Sequence, residues 1–349
     1  MTSFADLDDL VGAVPFDVVT ALRTVDAAQG TGAVEREVPP AVLVALAERC
    51  RAESVEASCA MDGVVVAGRS RAADILAGDD HRLRGRDEQR LAGCRRAHDH
   101  LRDAPWRPLD VPVVLHLHEL LLSCTVTPGG RLRHAESAVA VGAQDGPRVK
   151  RYTPVPVAQL PQRLEHLVDG FRAAQDEGRH HPVLVVGLLV LDLLAIHPFT
   201  EGNGRVARAL TSALLQDAGY DVVRYVSLDA AMAVAPDRYA TALLAATQDW
   251  DVARHDPWPW LRYLVLSLAD CSTRFVETTA AARTAGSKQD LVRDHVLHHA
   301  ARTFRLDDLR AALPGVSDPT LRLVLGRMRD EGLVRADAVG RGATWTRRG

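Results

Sequence analysis

Residues 182–196 read Pro-Val-Leu-Val-Val-Gly-Leu-Leu-Val-Leu-Asp-Leu-Leu-Ala-Ile, a run in which Asp192 is the sole charge. A helix apolar on nearly every side has no face to offer water, so this one must lie in the middle of a domain with other elements packed around it. It is followed directly by His197-Pro198-Phe199-Thr200-Glu201-Gly202-Asn203-Gly204-Arg205-Val206-Ala207-Arg208, which crowds a base, a carboxylate, two glycines and two guanidinium groups together. Val206, Leu210, Ala213 and Leu214 then fall at helical spacing, with Gly219 as a C-terminal stop. The spacing predicts a helix–loop–helix corner at the centre of a core.

At 349 residues, 47% hydrophobic and 25% charged, the chain has the make-up of a soluble globular protein with two or more domains. The apolar run is too short to span a bilayer. The start Met1-Thr2-Ser3-Phe4-Ala5-Asp6 lacks the basic-then-apolar pattern of a signal peptide, so no membrane association is expected. Cys50, Cys59, Cys94, Cys124 and Cys271 are scattered with no C-x-x-C pair, and a reduced, cytoplasmic setting is the expectation. A net charge of −3 argues against polyanion binding by the whole chain. Residues 287–349, however, hold 12 Lys+Arg against 8 Asp+Glu, or +4, leaving −7 for the remainder. Lys150 and Lys288 are the only lysines, so an isolated arginine carries little information here.

In chain order, residues 1–110 read as an N-terminal helical region. One helix starts at Ala41, with Val42, Leu43, Leu46 and Ala47 on one face, and runs to Met61 before Gly63 stops it. Others cover 69–77 and 88–101. Residues 111–277 form the core. Val111 to Leu122 opens like a strand, but its length and leucine-rich end favour a helix. His116 and His118 are two apart, about 200° round such a helix, which suits ordinary packing or surface roles better than one shared metal. Between 124 and 156, turns at Pro128-Gly129-Gly130 and Gly142 to Pro147 separate two β-rich stretches, a small hairpin or else a plain connecting loop. Helices follow over 157–175, 237–247 and 258–276. Residues 278–287, rich in Ala, Thr, Arg and Gly, read as a linker. Residues 288–349 contain two helices, a third opened by Ser317 as cap with Pro319 in its first turn, and a hairpin around Gly340-Arg341-Gly342. That is the winged helix-turn-helix plan, in which Arg322, Arg327 and Arg329 would face DNA phosphates or bases. The alternative is a protein-interaction module with a solvated arginine face.

The central corner has a chemistry of its own. Gly202 and Gly204 flank Asn203 and allow backbone N–H groups close to an anion, and the following helix adds its positive end. Arg205 and Arg208 emerge from one face of its first turn. This is a polyphosphate cradle without the lysine of a P-loop. Glu201 offers an oxygen ligand for Mg²⁺ on bound phosphates, and His197 can take a proton from an attacking hydroxyl. Base, metal ligand and clamp in this order point to transfer at a nucleotide phosphorus centre.

The run matches the signature H-x-F-x-[D/E]-G-N-G-R-x-x-R at every defined position, and on these residues the chain resembles the Fic family. The resemblance implies an all-α Fic fold with a small β-hairpin flap and transfer of AMP from ATP to a Tyr, Thr or Ser hydroxyl of a protein, the chain itself included. It implies His197 as general base, Phe199 as core anchor and Glu201 as Mg²⁺ ligand. Gly202, Asn203 and Gly204 become the anion hole, Arg205 the phosphate clamp, and Arg208 the partner of the γ-phosphate. Gly130-Arg131-Leu132-Arg133 together with Val139, Ala140, Val141 and Gly142 resemble the flap that aligns a target by strand addition, and Tyr239 an aromatic near the adenine. Ser58-Cys59-Ala60-Met61-Asp62-Gly63 resembles the family's inhibitory helix, [S/T]-x-x-x-E-[G/N], whose glutamate pairs with the second arginine, here Arg208. Asp62 stands where that pattern has Glu, a side chain shorter by about 1.5 Å, which predicts a weakened bidentate pair with Arg208 unless the backbone lies closer, and leaky inhibition. The plainer reading is that Asp62-Gly63 ends a helix. Three further alternatives stay open: transfer of UMP, phosphocholine or phosphoryl, a DNA-binding regulator with the Fic core as nucleotide sensor, and a homodimer.

Overall fold

The computed structural model describes residues 3–29, 38, 40–141, 150–337 and 344–347. In chain order its principal elements are α1 (Leu7–Val11), α2 (Phe16–Gln29), α3 (Pro40–Met61), α4 (Arg69–Leu76), α5 (Arg86–Asp103), α6 (Val111–Leu122), β1 (Val139–Val141), β2 (Lys150–Tyr152), α7 (Leu160–Glu177), α8 (Pro182–Ile196), α9 (Asn203–Asp217), α10 (Val222–Tyr225), α11 (Leu228–Ala233), α12 (Pro236–Ala246), α13 (Trp258–Asp294), β3 (Thr303–Arg305), α14 (Leu306–Ala312), α15 (Asp318–Asp330), β4 (Val334–Ala336) and β5 (Thr344–Arg347). The chain divides into two compact units, Met1–Gly32 with Leu43–Phe275, and Ala33–Val42 with Val276–Gly349.

The first unit is built on α8. Thirteen of its 15 residues are buried, which is why the sequence there needs no polar face. Each buried Val or Leu contributes about 1.5–3 kcal/mol, so this one helix is a large share of the driving force. It packs between α7 and α9, and α9 in turn meets α5 and α6. Its one charged residue is pinned from three sides. Asp192 accepts from the Ser3 N–H (2.6 Å), the Ser3 hydroxyl (2.5 Å) and Trp250 Nε1 (2.6 Å). Burial pushes its carboxyl up to about 6 against those hydrogen bonds. The Val111–Leu122 segment is helical, as its length predicts, with Asp110 accepting from Val113 N–H at 2.8 Å as the cap. α5 and α6 touch closely because Gly93 has no side chain: a Cβ there would lie 2.0 Å from the Leu121 carbonyl oxygen. The hairpin exists as a two-stranded antiparallel pair, Val139 opposite Tyr152 and Val141 opposite Lys150.

In the second unit, β3, β5 and β4 form an antiparallel sheet in the order β3-β5-β4, with Phe304 and Ala336 both opposite Trp345. α14 and α15 close a core of Phe304, Leu309, Leu321, Leu325, Met328 and Val334. The tail hairpin thus gains a third strand, Thr303–Arg305, too short to stand out in the sequence. Ser317 precedes α15 as expected, but its hydroxyl meets the Thr320 hydroxyl at 2.9 Å instead of a backbone N–H. Residues 278–287, expected as a linker, lie within helix α13; their Ala, Thr and Arg are tolerated in a helix, and the composition alone did not break it. Among the described residues no helix is long and apolar enough to cross a membrane.

Candidate active site

The corner between α8 and α9 is held by groups on four other segments. His197 ends α8 in the left-handed region (φ 51°), donating its N–H to the Leu193 carbonyl at 3.0 Å. That conformation turns the chain out of the helix and leaves the half-buried imidazole on the wall of a cavity. Burial lowers its pKa to about 4; the Leu194 carbonyl opposes this and the Arg133 charge adds to it. The ring is therefore neutral at neutral pH, the state a base requires.

Arg133, 3% exposed, fixes the loop that follows: its Nε donates to the His197 carbonyl at 2.9 Å, and its backbone N–H donates to the Pro198 carbonyl at 2.9 Å. Phe199 is fully buried and stacks on His118, ring centroids 3.8 Å apart. His118 Nε2 donates to the Glu201 carbonyl (3.1 Å) while Nδ1 accepts from the Gly130 N–H (3.1 Å), an arrangement that fixes a neutral tautomer. Burial likewise takes this histidine down to about 4. Asn203 does not offer its side chain to a ligand. Its Nδ2 donates to the Phe199 carbonyl at 2.8 Å and its Oδ1 accepts from the Phe199 N–H at 2.9 Å, closing the loop on itself. Of Asn203, only the backbone N–H is left for an anion hole. Gly202 sits at φ 84°, and a Cβ there would come 2.5 Å from Leu121, so glycine is required twice over.

Glu201 pairs with Arg90 of α5 at 2.8 Å, both side chains 30% exposed. Arg205 and Arg208 are almost wholly buried, and Asp62 at the end of α3 joins them: Oδ2 accepts from Arg205 Nε at 2.9 Å and Oδ1 from Arg208 Nη2 at 2.8 Å. The shorter acid therefore reaches Arg208. It does so by dividing its two oxygens between two arginines instead of forming a fork on one. Burial would raise the Asp62 carboxyl, but Arg208 and then Arg205 hold it below the usual carboxylate range. Ser58 completes the contact, its hydroxyl accepting from Arg208 Nε (2.9 Å) and its carbonyl from Nη2 (2.7 Å). Gly204 lies against this cluster, where a Cβ would stand 2.8 Å from Arg208 Nη1. A second carboxylate, Asp229, is buried 3.8 Å from Arg208 Nε, and burial raises it to about 6 although Arg208 lowers it.

His197, Asp62, Gly204, Arg208 and Tyr239 border one cavity of about 330 Å³ whose remaining wall is mainly apolar, with Leu243 and Leu244. Tyr239 lies under Arg208, its ring centre 5.9 Å from the guanidinium carbon, and edge-on to Trp260. Tyr152 of β2 borders the same cavity, its hydroxyl donating to the Ala195 carbonyl at 2.9 Å. Of the flap residues, Val139 and Val141 lie in β1, and Gly142 falls outside the described residues. In the second unit Arg322, Arg327 and Arg329 are exposed on α15; Arg327 donates to Gln289 (3.0 Å) and Arg329 to Asp330 (2.8 Å).

Arg90 and His118 were not foreseen as site residues, and Arg133 was expected only within the target-aligning hairpin, not as the group that holds the His197 loop. Arginine is too frequent here to single one out, and the His118 signal, a spacing of two from His116, pointed away from a shared role.

A family model described as Fic/DOC family matches residues 108–215. A protein adenylyltransferase Fic from Drosophila grimshawi is 37% identical over 112 residues, 32% of this chain and 21% of that protein. The protein adenylyltransferase and cysteine protease IbpA of Histophilus somni (strain 2336) is 38% identical over 68 residues, 20% of this chain and 2% of that protein. The chain thus spans 21% and 2% of the length of these two relatives. A Fic family protein from Desulfovibrio desulfuricans G20 superposes with TM-score 0.66 at 19% identity, over 97% of both chains. Fic-1 of C. elegans gives 0.57 at 18%, over 80% of this chain and 76% of that one, and both show likeness of fold.

Proposed function

We propose that this chain, which carries a Fic/DOC family domain, transfers AMP from ATP to a Tyr, Thr or Ser hydroxyl of a protein, with the end of α3 as a brake. The carrying observation is that neutral His197 and doubly held Arg208 border one cavity with an aromatic and apolar wall. His197 takes the proton of the acceptor hydroxyl as its oxygen attacks the α-phosphorus. The bond from that phosphorus to the bridging oxygen breaks, and pyrophosphate leaves with the electron pair. Arg205, Arg208 and the first N–H groups of α9 hold the departing negative charge. The apolar wall with Tyr239 suits a nucleobase, and the intact Gly202-Asn203-Gly204 backbone favours AMP over a terminal phosphoryl group.

Glu201 fits Mg²⁺ in the mode in which the ion rests mostly on substrate phosphates with one carboxylate beside them. No cluster among the described residues could hold a metal by itself, and Arg90 must release Glu201 first. Bound there, Mg²⁺ would neutralise phosphate charge. Asp62 occupies the two guanidinium groups that a polyphosphate needs, which supports its role as the brake. ATP labelled at the α-phosphate, with Mg²⁺, is expected to mark Asp62→Gly more than wild type and His197→Ala not at all. Equal label on wild type and His197→Ala contradicts the reading, and labelling from UTP but not from ATP would move it to another nucleotide.

Residues 288–349 support a second, compatible reading as a winged helix-turn-helix that meets DNA through α15. The three-stranded sheet beside α14 and α15 favours it, as does Arg322, exposed and without a hydrogen bond among the described residues. Gel shifts of the full chain should weaken steeply with salt and depend on sequence; binding with neither property contradicts it.

A further inference from the structure

Glu201 is the one carboxylate in the loop between α8 and α9, and among the described residues a single cation pairs with it: Arg90 Nη2 donates to Glu201 Oε2 at 2.8 Å. Both side chains are 30% exposed, so the pair is within reach of a solute. Its position is set by the helices beneath. His118 of α6 donates to the Glu201 carbonyl, and Leu121 of the same helix backs Gly202, where a Cβ would lie 2.5 Å from the leucine side chain. The loop therefore rests on α6, and α5, drawn close to α6 at Gly93, brings Arg90 to the carboxylate. Arg90 has no second ion pair among the described residues. It lies within α5 and not at an end, so a turn of its side chain is enough to release Glu201.

Two contacts of opposite sign thus close the resting site. Asp62 gives Arg205 and Arg208 the negative charge that phosphates would bring, and Arg90 gives Glu201 the positive charge that a divalent cation would bring. A guanidinium and Mg²⁺ are both positive and use the same carboxylate, so each disfavours the other there. Metal-free nucleotide has no such quarrel with Arg90, because a neutralised Glu201 repels phosphates less than a bare one. We propose that Arg90 stands in for Mg²⁺ at Glu201 and competes with it, and so raises the Mg²⁺ concentration at which the site takes up a metal-bound nucleotide. Asp62 then acts on the phosphates and Arg90 on the cation. The proposal rests on the reading of this corner as a Mg²⁺–nucleotide site.

Equilibrium dialysis of labelled ATP against the full chain, with and without saturating Mg²⁺, tests it. The background is Asp62→Gly/His197→Ala, which lacks the contact on the arginines and does not consume the nucleotide. Adding Arg90→Gln should tighten ATP about two- to fivefold in Mg²⁺, the range of a partly exposed ion pair, lower the half-saturating Mg²⁺, and give no tightening without metal. Arg90→Lys, which keeps the charge, should stay near the background. In a protein that also carries Glu201→Gln, Arg90→Gln should add nothing. Tighter binding cannot come from misfolding. Unchanged affinity in Mg²⁺ overturns the proposal, as does tightening that appears equally without metal or persists in Glu201→Gln. Weaker binding in Mg²⁺ also overturns it and makes Arg90 a phosphate ligand; all of these results leave the transferase reading in place. No ATP binding by any of the proteins contradicts that reading and the competition with it.

Discussion

Replacing Asp62 by Ala should lower stability and raise nucleotide affinity together, because one carboxylate serves both. Removing one member of a buried ion pair costs about 3–5 kcal/mol. Here the carboxylate is 25% exposed, and Arg208 keeps the Ser58 hydroxyl and carbonyl at 2.9 and 2.7 Å, which reduces the loss to about 2–3 kcal/mol. At about 2–4 °C per kcal/mol for a domain of this size, the melting temperature should fall by roughly 5–10 °C. The same interaction must be broken before a polyphosphate can engage both arginines, so wild type should bind ATP about 30- to 150-fold more weakly than Asp62→Ala. Melting curves with and without ATP–Mg²⁺ read both effects. The variant melts lower alone, yet gains more from nucleotide, about 2.7 kcal/mol at a hundredfold excess over Kd. A variant that melts with wild type and shows the same ATP shift would refute the shared role of Asp62.

Asn203→Ala strips both side-chain bonds from the buried Phe199 backbone and should destabilise by about 2–4 kcal/mol, measured by denaturant unfolding; a loss below about 1 kcal/mol would mean the loop is held by other groups. Asp192 has a folded pKa of about 6, above its unfolded value, so its contribution is fully present below about pH 4 and is lost as pH rises through 6, up to about 3 kcal/mol. Wild type should therefore lose stability relative to Asp192→Asn over that window, and a pH-independent difference would contradict the buried carboxyl. Since His197 is down at about 4, kcat/KM of Asp62→Gly should stay level from about pH 7 to 5.5, and an acid limb centred on the ordinary histidine value of about 6.5 would show an exposed base.

The parts of the site legible in the sequence were those whose chemistry is local. The apolar run, broken only by Asp192, forced Pro182–Ile196 into the core, and the density of functional groups from His197 to Arg208 marked the corner. Asp62 was legible as a candidate, but its reach was not. Side-chain length argued against a bidentate pair unless the backbone lay closer, and the end of α3 lies close enough for one oxygen to serve each arginine. Asn203 was read for its place between two glycines, and its side chain proved to belong to the loop's internal bonds. His118, Arg90 and Arg133 act across 83, 111 and 64 positions of sequence, a separation that no periodicity encodes. The helix through 278–287 shows the converse, a composition suited to a linker overruled by the helix on either side of it.

The most direct measurement is mass spectrometry of Asp62→Gly after incubation with ATP and Mg²⁺, beside the double variant Asp62→Gly/His197→Ala. An AMP adduct on a Tyr, Thr or Ser hydroxyl of the single variant, absent from the double, is the predicted result. An adduct of equal yield on both would contradict a His197-dependent transfer at this corner.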